Sequence, residues 1–153
     1  MMDFKKSLTN GLEAAKKARK NKEEIQGVID EVSEAINDYS NGLISLVVTK
    51  EQRVAQNIGS LVGGAAAAFG LSPWVQYKTL SLLLKKDQLQ KKEKIAEWRI
   101  DESDGYPCVI SYNGDDISCG TKEMLEKALG NLMANASTGE RLLKLITEGE
   151  QSE

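Results

Sequence analysis

The sequence predicts an α+β fold, and three observations carry this. An apolar seam at heptad spacing runs through residues 3–43. Residues 54–77 hold no charge, in a chain that is 28% charged. Residues 95–119 alternate apolar and polar side chains around two glycine turns. Together they give a long N-terminal helix, a buried Gly/Ala-rich helix pair, a small antiparallel sheet of three to four strands and two C-terminal helices. The expected organisation is a helical oligomerisation arm over 1–42, a globular α+β domain over 43–148 and a frayed polar tail over 149–153.

The seam comprises Phe4, Leu8, Gly11, Ala15, Ala18, Lys22, Ile25, Ile29, Val32, Ile36, Tyr39 and Leu43. Its steps of four and three do not slip, as in a coiled coil. No Pro or Gly lies near residues 16–24 to turn the chain, so one continuous helix of roughly 55–60 Å is preferred. The alternative is a helical hairpin that breaks near Asn21, with Asn21 capping the second arm. Asn41-Gly42 ends the helix in either case. A long helix with a narrow stripe wants a partner helix. The large, mostly β-branched half of the seam, Ile25, Ile29, Val32, Ile36 and Tyr39, is therefore the expected oligomer interface. Lys22 inside the seam is a residue type that fixes register.

Leu43 to Val48 is a short apolar run that favours a buried strand. Thr49 to Gln52 matches a capping box. It predicts a helix from about Lys50 to Phe69, with Gly70 as the left-handed terminating residue. Ser72-Pro73 restarts a helix that runs to about Lys94. Gly59, Gly63, Gly64 and Ala65 to Ala68 leave the first of these helices nearly bare on part of its surface. Glycine in a helix costs roughly 0.5–1 kcal/mol against alanine, and close approach of another backbone is the usual offset. The same stretch has two other readings, a helix interface between protomers and a membrane segment. Its length and the Gly59–Gly63 spacing suit the membrane reading, whereas Gln56, Asn57 and Pro73 interrupt it.

Residues 95–119 read as a three-stranded meander. Asn113-Gly114 is a two-residue hairpin turn that sets Tyr112 opposite Asp115, Ile110 opposite Ile117 and Cys108 opposite Cys119. The earlier turn takes Gly105 as a left-handed residue, which sets Ile100 against Cys108 and Trp98 against Ile110. This register keeps the large apolar residues on one face. The predicted core face is Ala96, Trp98, Ile100, Cys108, Ile110, Tyr112, Ile117 and Cys119. Thr121 then caps a helix with Met124, Leu125, Leu129, Leu132 and Met133 on its apolar stripe. Ser137 to Glu140 is a capping box for the last helix, which buries Leu142, Leu143, Leu145 and Ile146.

Composition narrows the chemistry. The chain has no histidine, which removes the commonest general base, metal ligand and pH switch. Two cysteines form no disulfide framework at this length, and a cytoplasmic, reducing setting fits. No signal peptide is visible over residues 1–12. Cys108 and Cys119 face each other closely enough for a bridge, but two core thiols are the plainer reading. Asp101, Glu102, Asp104, Asp115 and Asp116 crowd the turns, where turn chemistry and solvation account for them. The residues between Gly59 and Gly64 lack the ending of a phosphate-binding loop. No catalytic residue, cofactor or metal site is predicted.

The block Lys16, Lys17, Arg19, Lys20 and Lys22 is the candidate phosphate contact. Through Lys22 the chain holds seven basic and two acidic residues, against a net charge of −3 for the whole. No aromatic residue is interleaved to stack a base. The expected function is thus a non-enzymatic protein-interaction or accessory protein of inhibitor, immunity or assembly type. It would self-associate through the N-terminal helix and bind a further protein. The alternatives are a nucleic-acid-associated module using residues 16–22 and a membrane-associated protein using residues 54–77.

Overall fold

The heptad seam folds as one helix rather than a hairpin. In the computed structural model, which describes residues 1–54 and 74–151, α1 spans Phe4–Tyr39 without a break. Its 36 residues extend about 54 Å. Asp3 caps it, its side chain accepting from the Lys6 N–H. Asn41 and Gly42 end it, both at positive φ, as the turn chemistry requires.

Five strands follow among the described residues: β1 (Ile44–Val54), β2 (Trp74–Lys86), β3 (Leu89–Asp101), β4 (Gly105–Tyr112) and β5 (Asp115–Cys119). Each pairs antiparallel with its sequence neighbour in one sheet, ordered β1-β2-β3-β4-β5. Helices α2 (Lys122–Met133) and α3 (Ala136–Gln151) close the chain. The class is α+β, with a five-stranded sheet instead of the expected three to four strands.

The extra strands come from the stretch read as a helix pair. Lys50 to Val54 do not open a helix; they continue β1, in register with β2 as far as Val54 opposite Trp74. Thr49 is not an N-cap. Its Oγ1 lies 2.6 Å from Thr79 Oγ1 on the facing strand. The expected second helix, from Pro73 to Lys94, is instead β2 and most of β3, joined at Asp87 with φ 54°. The remainder of the first expected helix, with Gly59, Gly63, Gly64 and Gly70, lies outside the described residues.

The meander has the predicted register. Cys108 faces Cys119, Ile110 faces Ile117, Ile100 faces Cys108 and Trp98 faces Ile110. Gly105 takes φ +86° and lies against α1, where an added Cβ would come within 3.3 Å of Asn21, Lys22 and Ile25. Helices α1, α2 and α3 pack on one face of the sheet. There Leu80, Leu82, Leu84, Trp98 and Ile110 meet Ile25 and Ile29 of α1, Leu129 of α2 and Leu145 of α3 in one buried cluster. Each such side chain contributes about 1.5–3 kcal/mol through burial. The other face carries polar pairs: Arg53 with Glu97 at 2.8 Å, Lys92 with Glu51 at 3.2 Å, and Arg53 over the Tyr77 ring at 4.4 Å.

The last helices differ from expectation in detail. Thr121 caps α2, accepting from the Met124 N–H. Asn135 accepts from the Ser137 N–H at 3.0 Å, so α3 starts ahead of the expected Ser137 box. Met124 and Leu143 are exposed, not buried. The expected tail over 149–153 begins inside a helix. Helix α3 continues to Gln151, Gly149 is buried, and Lys86 Nζ donates to its carbonyl at 2.6 Å.

Candidate interaction surface

Helix α1 is used by the fold along only part of its length. Contact with the body tightens at Asn21, whose side-chain amide donates to the Asp104 carbonyl at 3.0 Å. Lys22 Nζ donates to the Glu102 carbonyl at 2.6 Å, and the Tyr106 hydroxyl to Glu24 Oε1 at 2.6 Å. Ile25, Val28, Ile29 and Ile36 then enter the core. Nearer the helix end, Ser33 Oγ accepts from the Leu46 N–H, and Ser40 Oγ from the Ile44 N–H.

Before that point the helix is exposed. Every residue from Met1 to Lys17 is exposed. Phe4, Leu8 and Leu12 are 73%, 68% and 64% exposed, and at i, i+4, i+8 they form one apolar stripe. A lone helix this short would be marginal in water. Here the docked half supplies the nucleus and the free half propagates from it.

The residues expected to form the oligomer interface are thereby divided. Ile25, Ile29 and Ile36 are covered by the chain's own sheet and helices, so their apolar surface is already satisfied within one copy. Val32 is half-buried and Tyr39 is 76% exposed.

Val32 and Tyr39 belong to a groove between α1 and the α2–α3 pair, about 800 Å³ in volume. Its floor is Val28, Ile36 and Leu82, all buried, and its walls include Met133, Leu142 and Ile146. Leu143 and Tyr39, both exposed, also line it. The charged residues lining it are Glu31, Glu126 and Glu140, with no cationic side chain among the lining residues. Thr138, 2% exposed, also lines it, and its Oγ1 has no hydrogen-bond partner. A buried hydroxyl without a partner costs roughly 1–3 kcal/mol.

The basic block does not form one patch. Lys22 is bonded to the Glu102 carbonyl. Lys17 and Arg19, two residues apart on a helix, point about 200° apart. Lys16 and Lys20 share a face beside the apolar stripe. The acidic turn is an Asx turn, since Asp101 Oδ1 accepts from the N–H groups of Ser103 and Asp104. Cys108 and Cys119 are free thiols buried in the core. Burial, reinforced by the charge of Cys119, pushes the Cys108 thiol up to about 12, and burial likewise raises Cys119.

The groove escaped the sequence reading, although one signal was present. Leu142, Leu143, Leu145 and Ile146 span too wide an arc to face one core. Leu143 lies about 160° from Leu145 around a helix, so one of them had to be outside. Among the described residues, no helix is long and apolar enough to cross a membrane. No protein-family model, curated protein or solved structure matches the chain.

Proposed function

We propose that the protein is a non-enzymatic interaction protein that self-associates through its N-terminal helix and presents the assembly to a further protein partner. The observation that supports this most directly is the free half of α1. Three large apolar side chains on one stripe are left in water on a helix held rigid by its other half. Each forgoes about 1.5–3 kcal/mol of burial, and contact with a partner recovers it.

Sedimentation of the full chain tests the reading. The wild-type protein is expected to be an oligomer. Replacing Phe4, Leu8 and Leu12 together by Ser is expected to give a monomer of unchanged thermal stability. A wild-type protein that stays monomeric at every concentration overturns the reading.

A second reading rests on the exposure of Lys16, Lys17, Arg19 and Lys20 along the same helix. There the partner is a nucleic-acid backbone, and retention on DNA or RNA falls steeply with salt. Changing Lys16, Lys17 and Lys20 to Glu removes that retention. Loss of self-association in the same variant would instead attribute the charges to the protein interface.

A further inference from the structure

We infer that the groove between α1 and the α2–α3 pair receives the free α1 arm of a second copy of this chain. The inference rests on the self-association reading and specifies its geometry. It joins two features that are each incomplete alone: an apolar, basic helix without a cover and an apolar, acidic groove without an occupant.

The arm is chemically matched to the groove. Phe4, Leu8 and Leu12 form its apolar stripe, and the charged residues among 4–12 are Lys5 and Lys6, both cationic. The groove offers an apolar floor and three rim carboxylates, Glu31, Glu126 and Glu140. An amphipathic helix laid into an apolar groove is a recurrent recognition mode. The rim charges are exposed, so each ion pair adds only about 0–1 kcal/mol. They set orientation, and the apolar contact sets affinity.

The arm cannot fill its own groove. The groove's α1 wall begins at Val28, on the same unbroken helix. Leu8 lies twenty residues away, about 30 Å along a rigid rod. Occupation is therefore between copies. Antiparallel pairing of two α1 helices satisfies both at once. A two-fold axis that sets Leu8 beside the partner's Val32 also sets Val32 beside the partner's Leu8. Such an exchange closes as a dimer and leaves no open end.

Cysteine cross-linking of the full chain tests this. Native Cys108 and Cys119 are 0% exposed, so in the folded protein new surface thiols react first. Leu8→Cys protein is mixed with Leu143→Cys protein under mild oxidation, and the linked peptides are mapped. A disulfide between the two variants is the expected result. Links confined to Leu8→Cys pairs overturn the groove inference while leaving self-association through the arm intact. Absence of any link, with both proteins monomeric, overturns both. Gly139→Phe provides a second readout. Gly139 lines the groove and a Cβ there meets nothing within 4 Å, so the ring can occupy the groove without disturbing the core. Self-association is expected to weaken about tenfold or more with unchanged thermal stability. Unchanged association overturns the inference.

Discussion

The Tyr106 hydroxyl donates a 2.6 Å hydrogen bond to Glu24 Oε1, joining the start of β4 to α1 across 82 positions of sequence. It lies where α1 changes from a free rod to a docked one. Burial, then the bond to the Glu24 carboxylate and its charge, hold the phenol well above its usual value of 10.0. A phenol whose pKa is higher folded than unfolded adds stability that is fully present below the unfolded value and is lost as pH rises toward the folded one. Tyr106→Phe should therefore cost about 1–2 kcal/mol at neutral pH. The difference from wild type should shrink as pH rises above 10. Denaturant melts at several pH values measure it, and a difference that grows with pH would contradict the assigned role. In Glu24→Gln, tyrosinate absorbance should develop at lower pH, because the carboxylate's contribution is gone.

The facing thiols make a second alkaline dependence. Cys108 and Cys119 oppose each other in the β4–β5 register and are both fully buried. With Cys108 pushed up to about 12, the native state prefers the neutral thiol. This preference adds stability below the unfolded thiol value of about 8.5 and loses it as pH climbs toward 12. Stability should begin to fall from about pH 9, ahead of the Tyr106 effect. Cys108→Ala should be less stable at neutral pH, from the cavity it leaves, yet lose less over that alkaline range. Alkylation rates in the native protein should track global unfolding. Fast labelling at neutral pH without denaturant would refute the buried-thiol account.

The two halves of the α1 seam should respond oppositely to truncation. Ile29 is 3% exposed in the core, and Ile29→Ala should cost about 2–5 kcal/mol. Leu8 is 68% exposed, and Leu8→Ala should leave monomer stability within about 0.5 kcal/mol. Its effect should appear in self-association alone. Thermal melts at low concentration, paired with sedimentation, separate the two. A large stability loss from Leu8→Ala in the monomer would mean that the arm packs on its own body.

This division explains what was legible in the sequence. Heptad spacing marked α1 as helical but left one continuous helix and a hairpin both open, and spacing cannot say what covers a seam. Ile25 and Ile29 found their cover in the chain's own sheet. The meander was readable because Gly105, Asn113 and Gly114 fix two turns, and only one register then keeps Trp98 and Ile110 on the same face. The β1–β2–β3 region was not. Past Val48, β1 extends beyond the helices, so water reaches both faces and Lys50, Gln52 and Arg53 obscure the two-residue period. In β3, Lys91 and Glu93 sit on the helix side of the sheet because Glu148 and Lys144 of α3 meet them. Lys, Glu, Gln and Leu are good helix formers, and the turn at Asp87 contains no glycine. Local composition therefore favoured helix, and pairing along the length of β2 overrode it. The candidate site was half legible for the same reason. Its α1 residues lay on the seam, whereas the groove exists only once α2 and α3 are placed.

The overridden capping box leads to the last prediction. Thr49 Oγ1 and Thr79 Oγ1 are 2.6 Å apart across β1 and β2, and Thr79 Oγ1 is also 3.1 Å from Ser81 Oγ. Thr79 and Ser81 are buried polar residues on β2, and among the described residues each hydroxyl finds its partner in the others. Thr79→Val keeps the β-branched shape suited to a strand but leaves Ser81 and Thr49 without that bond. It should cost about 1–3 kcal/mol. Thr49→Val should cost less, since Thr79 keeps Ser81. Removing both hydroxyls should cost less than the sum of the single losses, because the second substitution removes a group that the first had left unmatched. A double-mutant cycle by denaturant unfolding measures this coupling. Strict additivity would show that the short contact contributes nothing. Were Thr49 instead a helix cap, its replacement would act independently of Thr79, so coupling between the two hydroxyls also tests the strand assignment.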